Sequence, residues 1–160
     1  MTPVGTSLSL LERRAIEAEM LLRVFDAASA SVGPERAQRI LEQAVDSAAL
    51  AAGQAFASTA LQGGPSLAHF ALVLERWQEG GVLDIRDIRQ DQTALRFTVT
   101  RCGYVQRYAD LGVPAHLCAV FSCRRDAAFA EGYSPHLAME RQETIAEGHA
   151  ACRFVFRWLP

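Results

Sequence analysis

The four cysteines all lie between residues 102 and 152, among residues from which a small catalytic site could be built. Cys102 is followed by Gly103 and Tyr104, with Tyr108 one helical turn further on. Cys118 and Cys123 precede Asp126, and Arg141 and Cys152 complete the set. A cysteine attacks best as thiolate, which needs a cation, a helix amino terminus or a base beside it. Cys102 meets this locally: Arg101 precedes it, and a helix is predicted to begin just after it, with the positive end of its dipole toward the sulfur. Asp126 could act as general acid or base, or hold a cationic amidine nitrogen by a charge-assisted hydrogen bond.

Two other readings of these residues stand beside thiol catalysis. Cys102, Cys123, Asp126, Cys152 and His116 are ligand types that suit zinc, but the chain has no CxxC or HxxxH pair. On a continuous helix at 100° per residue, Cys118 and Cys123 point about 140° apart and cannot share an ion. The expectation is therefore a site without metal or cofactor. In the plainest reading Cys118 and Cys152 are core residues and Asp126 pairs with a nearby arginine. The protein then binds a small molecule without turning it over.

Composition removes several classes of function. The 160 residues are 50% apolar and 21% charged, as suits one domain spanning 1–160 with a real core. The net charge is −2, so no positive field favours nucleic acid. There is no lysine, which excludes side-chain Schiff bases, lysine-anchored pyridoxal phosphate and Walker-type loops. There is no asparagine either, hence no N-glycosylation and no Cys-His-Asn set. No apolar run approaches the ~20 residues that span a bilayer, and the amino terminus does not read as a leader. These features predict a cytoplasmic protein with reduced thiols and no membrane partner.

The elements that must position the site follow from periodicity. Ser9 and Glu12 form a capping box ahead of Leu11, Ala15, Ala18, Leu22, Phe25 and Ala28, an amphipathic helix ending before Gly33-Pro34. Pro34 opens a second helix, to about Leu61, with Ala37, Leu41, Ala44, Ala48, Ala51 and Ala55 on one face. Small side chains there would let another helix, or a partner subunit, approach closely. Ser66 caps a third helix that ends at Gly80-Gly81, with His69 read as a satisfied structural histidine. The pattern then alternates: a hairpin turns near Gln90-Asp91-Gln92, with Leu95, Phe97 and Val99 on one face and Arg96, Thr98 and Thr100 on the other. Cys102 is in phase with the second face. Pro114 starts a helix to Gly132 on which His116, Cys123 and Asp126 share one side, while Leu117, Phe121 and Ala128 form the apolar stripe. Strands through Leu137, Met139 and Arg141 and over Ala151–Trp158 complete a mostly antiparallel sheet of about four strands. The predicted class is α+β, a helical scaffold over 1–80 and a sheet with two inserted helices over 81–160.

Several ordered segments carry a resemblance. Cys102-Gly-Tyr-Val-Gln-Arg-Tyr108-Ala-Asp-Leu-Gly112, Cys123-Arg-Arg-Asp126, Tyr133-Ser-Pro135, Glu140-Arg141, Thr144-Ile-Ala-Glu-Gly148 and Cys152-Arg-Phe154 resemble the L-2-amino-thiazoline-4-carboxylic acid hydrolase family over about residues 80–158. The resemblance implies cofactor-independent opening of a cyclic isothiourea at its carbon–sulfur bond, giving N-carbamoyl-L-cysteine. Cys102 is then the candidate nucleophile and Asp126 the acid/base or amidinium anchor. Arg141, whose planar fork matches a carboxylate, becomes the candidate for the acid end, with Tyr104, Tyr108, Cys123 and Cys152 lining the pocket. Direct attack by water, with Asp126 as base, is equally open. One departure stands out: Arg153 occupies the place after the last cysteine where an acidic residue is expected, a change that would bear on the substrate.

Overall fold

The computed structural model describes residues 7–160; the reading of the amino terminus rests in part on residues 1–6, which lie outside them. Helix α1 (Leu10–Val32) starts on the capping box: Glu12 N–H donates to Ser9 Oγ at 3.2 Å, and Ser9 N–H donates to Glu12 Oε2 at 2.8 Å. Pro34 takes the first turn of α2 (Pro34–Ala57), where its missing N–H costs nothing. Helix α2 stops short of the predicted Leu61, because the Ser58 and Thr59 hydroxyls bond back to the Ala55 and Phe56 carbonyls and close the last turn.

The buried face of α2 differs from the predicted one. It consists of Ala37, Leu41, Val45, Ala49, Gly53 and Phe56, while Ala44, Ala48, Ala51 and Ala55 are exposed. A 3.6-residue period can be threaded through so many alanines in more than one way. The bulky Val45 and Phe56 choose the face. A second helix does approach closely, and the residues that permit it are glycines. A Cβ on Gly53 would lie 2.1 Å from the Phe129 carbonyl oxygen, and one on Gly132 would lie 2.1 Å from that of Leu50. Those contacts join α2 to α7 (Arg124–Tyr133) along their backbones.

The third predicted helix is two short ones, α3 (Leu67–Ala71) and α4 (Val73–Trp77), with Ser66 Oγ accepting from His69 N–H. His69 is structural, as read from the sequence. Its Nδ1 is 2.9 Å from Tyr133 Oη, its Nε2 3.2 Å from Thr59 Oγ1, and its ring stacks on Phe56.

The strands are β1 (Leu83–Gln90), β2 (Ala94–Cys102), β3 (Leu137–Arg141) and β4 (Cys152–Trp158), in the order β1-β2-β4-β3 with every pair antiparallel. The class is α+β, with helices packed on one face of the sheet. Between β2 and β3 come α5 (Gly103–Asp110), α6 (Ala115–Cys118) and α7. Leu95, Phe97, Val99, Cys152, Phe154 and Phe156 meet Phe56, Phe70 and Tyr133 in one core. Ala18, Leu41, Tyr108, Leu117, Cys118 and Phe121 form a second core under α1. Antiparallel pairing has a direct consequence for the cysteines. The end of β2, the start of β4 and the end of β3 lie together, so Cys102, Cys152 and Arg141 come to one end of the sheet.

Candidate active site

A bulge in β2 decides where Cys102 points. Asp84 pairs with Arg101 but Ile85 pairs with Val99, so Thr100 is an extra residue against β1. One added residue reverses the alternation beyond it. Strict alternation groups Cys102 with Arg96, Thr98 and Thr100. In the structure it packs instead against the core that holds Cys152. Arg101, expected beside the thiol, turns to solvent and is committed elsewhere, Nε 3.0 Å from Asp84 Oδ2 and Nη2 2.6 Å from Gly81 O. Gly103 fixes the next step: its N–H donates to Val82 O at 2.7 Å, and a Cβ there would lie 2.8 Å from that oxygen. Helix α5 therefore starts directly after the cysteine. Burial pushes the Cys102 thiol up, and the Val105 and Tyr104 amides at the head of α5 pull it part of the way back. At rest this sulfur is a thiol.

Asp126 reaches the same end of the sheet from α7, and Cys123 from the turn just before it. The predicted long helix is interrupted by a π turn over Ala119–Cys123, which widens the spacing just before α7. Ideal 100° steps therefore fail across it. His116 lies on the far side of the turn, exposed and edge-on to Phe25 of α1, and does not join Cys123 and Asp126. Asp126 Oδ2 accepts a short hydrogen bond from Arg141 Nη1, and Arg141 Nη2 donates to Cys123 O at 2.9 Å. The guanidinium also lies over Phe154, 5.0 Å from its ring centre. Both terminal nitrogens of Arg141, expected to receive a carboxylate, are thus engaged within the protein. Burial raises the Asp126 carboxyl to about 6 although Arg141, Arg125 and Arg14 all pull it down, and 24% of its side-chain surface stays open. Burial first, and the Asp126 charge second, push Cys123 up to about 12.

Cys152 lies at the start of β4, buried, and its Sγ accepts from Ile145 N–H at 3.2 Å. That amide is held by a reciprocal cap: Thr144 Oγ1 donates to Glu147 Oε2 at 2.7 Å, and Glu147 N–H donates back to Thr144 Oγ1 at 3.2 Å. The Thr144–Gly148 segment thus orients Cys152. Cys102, Cys123, Cys152 and Asp126 all lie within each other's electrostatic reach. Tyr104 completes this end: its hydroxyl donates to Trp77 O at 3.2 Å and is pushed up to about 12, chiefly by burial. Tyr108 lies deeper, in the second core, raised by burial and drawn down by Arg125 and Arg14. Cys118 is apart from them, buried with its Sγ 3.6 Å from Val113 O. Among the described residues no three His, Cys, Asp or Glu side chains are placed to hold one metal ion. No described helix is long and apolar enough to cross a membrane.

The family model for L-2-amino-thiazoline-4-carboxylic acid hydrolase matches residues 13–156. The chain belongs to this hydrolase family. The match extends through the helical half, well beyond the region of the motifs quoted above. A search of curated proteins finds no match. Among solved structures, the fold is similar to the phenol-responsive sensory domain of the transcription activator PoxR, solved with phenol. That likeness has a TM-score of 0.54 and 12% identity over 96% of this chain and 78% of that one.

In this member of the hydrolase family, each half of the chain contributes an arginine to which the sequence reading gave no role. Arg14 of α1 and Arg125 of α7 both act on Asp126. Their only sequence signal is position: Arg14 falls on the flank of the apolar face of α1, and Arg125 directly precedes Asp126. Arg153 is placed away from the site. It lies on the outer face of the sheet, paired in register with Thr98, 73% exposed and 3.4 Å from Glu143. The alternation of β4 turns Cys152 inward and Arg153 outward.

Proposed function

We propose that the chain hydrolyses a small cyclic amidine or isothiourea, such as 2-amino-thiazoline-4-carboxylate, without a cofactor. Cys102 is the nucleophile and Asp126 is its acid/base partner. The observation that supports this most is the β2 bulge, which turns Cys102 toward Asp126 and Cys152. In this reading Asp126, ionised above about pH 6, takes the Cys102 proton as the sulfur adds to the ring carbon between nitrogen and sulfur. The carbon–sulfur bond of the ring breaks, and the departing sulfur collects that proton. A covalent isothiourea on Cys102 remains. Water then adds to the same carbon and expels the Cys102 sulfur, giving the N-carbamoyl thiol and the restored cysteine. Arg141 fixes the Asp126 carboxylate for both steps, and Tyr104 and Cys152 wall the pocket.

The test is direct. Purified protein is incubated with L-2-amino-thiazoline-4-carboxylate while N-carbamoyl-cysteine is measured. Cys102→Ser is expected to abolish turnover with folding intact and no trapped adduct. Full activity in that variant would leave water, activated by Asp126, as the nucleophile.

A second reading is a binding or sensing domain for a small molecule. It is favoured by the buried thiols, which burial holds protonated, and by the likeness to the PoxR sensory domain, which carries phenol. Saturable binding across a panel of cyclic amidines, with no product from any, would select it.

A further inference from the structure

The hydrolytic reading treats Cys152 as a wall and gives the Thr144–Gly148 motif no task, yet a direct hydrogen bond joins the two. Thr144 and Ser134 are the buried polar side chains among the described residues. Thr144 is wholly engaged in one turn. Its hydroxyl donates to Glu147 Oε2 at 2.7 Å and accepts from Glu147 N–H at 3.2 Å. Its carbonyl accepts from His149 N–H at 3.1 Å, and Gly148, at φ +92°, donates to Ile145 O at 3.0 Å. The first N–H groups of such a turn find no partner inside it. The one on Ile145 donates outward, to Cys152 Sγ at 3.2 Å.

Strand register places that sulfur beside the reacting groups. Cys152 and Phe154 share the inward face of β4. Arg141 is opposite Phe154, lies over its ring at 5.0 Å and donates to Asp126. Val99, opposite Cys152 on β2, directly precedes the bulge that turns Cys102 inward. The titratable and charged groups facing Cys152 are Cys102 from β2, Arg141 from β3, Cys123 from the π turn, Asp126 from α7 and Glu147 from the Thr144 turn. His149 Nδ1 faces the Thr144 carbonyl instead, at 3.3 Å. Burial keeps Cys152 a thiol, and the Ile145 amide opposes burial by stabilising the thiolate. Arg141 Nε, buried and without a hydrogen-bond partner, is a further donor on this side of the sheet.

We propose that Cys152 is the acid that protonates the departing ring sulfur, and that Thr144 is the positioning residue that holds it to this role. The assignment rests on the hydrolytic reading of the site and adds the route of the proton. Asp126 takes the Cys102 proton as the Cys102 sulfur adds to the ring carbon. The ring carbon–sulfur bond then breaks, its electron pair stays on the ring sulfur, and that sulfur takes the proton of Cys152. The Ile145 N–H holds the resulting Cys152 thiolate until Asp126 passes on the proton it received. One proton has left Cys102 and one has reached the product thiol, with Asp126 ionised and Cys152 protonated as before. Donor and acceptor are both sulfur, so their proton affinities are matched for the transfer. Thr144 touches no reacting atom and acts only through the direction of the Ile145 amide.

The experiment has two readouts. Ultraviolet thiolate absorbance is titrated in the parent, Thr144→Val and Thr144→Ser, each with and without Cys152→Ser, so that the difference isolates Cys152. Loss of the aligned amide in Thr144→Val is expected to raise the Cys152 midpoint by about one pH unit, and Thr144→Ser, which keeps the hydroxyl, should restore it. In turnover of L-2-amino-thiazoline-4-carboxylate, Cys152→Ala should lower kcat about a hundredfold or more, the scale of a lost general acid. Thr144→Val should lower kcat about tenfold, the rate equivalent of one pH unit, with KM changed less than about twofold. Glu147→Ala, which removes the carboxylate holding the Thr144 hydroxyl, carries the test if Thr144→Val fails to fold. Its Cys152 midpoint should also rise. An unmoved midpoint in the folded variants, or a Cys152→Ala chain that turns over at the parent rate, would overturn the proposal. A raised midpoint with no turnover by the parent would keep Thr144 as the residue that sets this sulfur and refute the hydrolase. Parent turnover with midpoint and kcat unaltered in Thr144→Val would do the reverse.

Discussion

Replacing Gly132 by alanine tests how α7 is seated on α2. On an open helix surface this change stabilises, since alanine is favoured over glycine by about 1 kcal/mol in a helix interior. Here the added methyl would lie 2.1 Å from the Leu50 carbonyl oxygen and 2.8 Å from its carbonyl carbon and Cα. These are backbone atoms of α2, and no side-chain rotation relieves the contact. Ordinary van der Waals separation begins near 3.4 Å, so the two helices must move apart by more than 1 Å at this point. The shift opens the apolar seam around Ala49, Gly53 and Phe56. Overpacking of this kind costs about 1–3 kcal/mol, and loosening of the neighbouring contacts adds to it. The propensity gain offsets part of that, leaving a net loss of about 2 kcal/mol. Urea unfolding measures it: the midpoint should fall while the slope is unchanged. Gly53→Ala, whose methyl would lie 2.1 Å from Phe129 O, should behave alike. The helix that moves carries Cys123 and Asp126, so turnover should fall as well. A Gly132→Ala protein as stable as the parent, or more so, would refute the close seating of α7 on α2.

Four further expectations concern the site and its surroundings. With Asp126 as base, kcat/KM should fall about tenfold per pH unit below about 6, and Asp126→Asn should lose activity together with that acid limb. Because burial raises this carboxyl from 3.8 to about 6, its contribution to stability is full below that window and is lost as pH rises through it. Going from pH 4 to pH 7, the urea midpoint of Asp126→Asn should therefore rise more, or fall less, than that of the parent. Cys118→Ala, which trims a buried sulfur away from the site, should cost about 1 kcal/mol by thermal denaturation and leave turnover unchanged. Arg153→Glu restores the expected acidic residue on the outer face, and its steady-state kinetics should match the parent within about twofold.

What was legible in the sequence, and what was not, divides along one physical line. Capping and alternation are local, and they located α1, the hairpin and the strand faces of Leu95–Val99 and Cys152–Trp158. The resemblance to the hydrolase family was likewise carried by short ordered motifs. Two irregularities of a single step each then determined which side chains meet. Thr100 adds one residue to β2 and reverses the direction of Cys102, and the π turn before Arg124 changes the phase between His116 and Asp126. Neither leaves a signature in composition or period, because an insertion is recognised only against the strand or helix it interrupts. The face of α2 was ambiguous for a related reason: alanines suit either side, and the bulky Val45 and Phe56, together with the glycine-to-backbone contacts with α7, break the tie.

Charge pairing was the least legible of all. Arg141 reads as a free fork from its place in a motif, yet the fold commits it to Asp126 and to the Cys123 carbonyl. Two further arginines bear on the same carboxyl: Arg14, which local reasoning left in the scaffold, and Arg125, inside the Cys123–Asp126 motif. Arg14 and Asp126 are separated by more than a hundred residues, and only the packing of α1 against the second core brings them into one field. The helical half is therefore more than a support for the sheet: through Arg14 of α1 it takes part in the electrostatic surroundings of Asp126, together with the Arg141 of β3 that pairs with it directly.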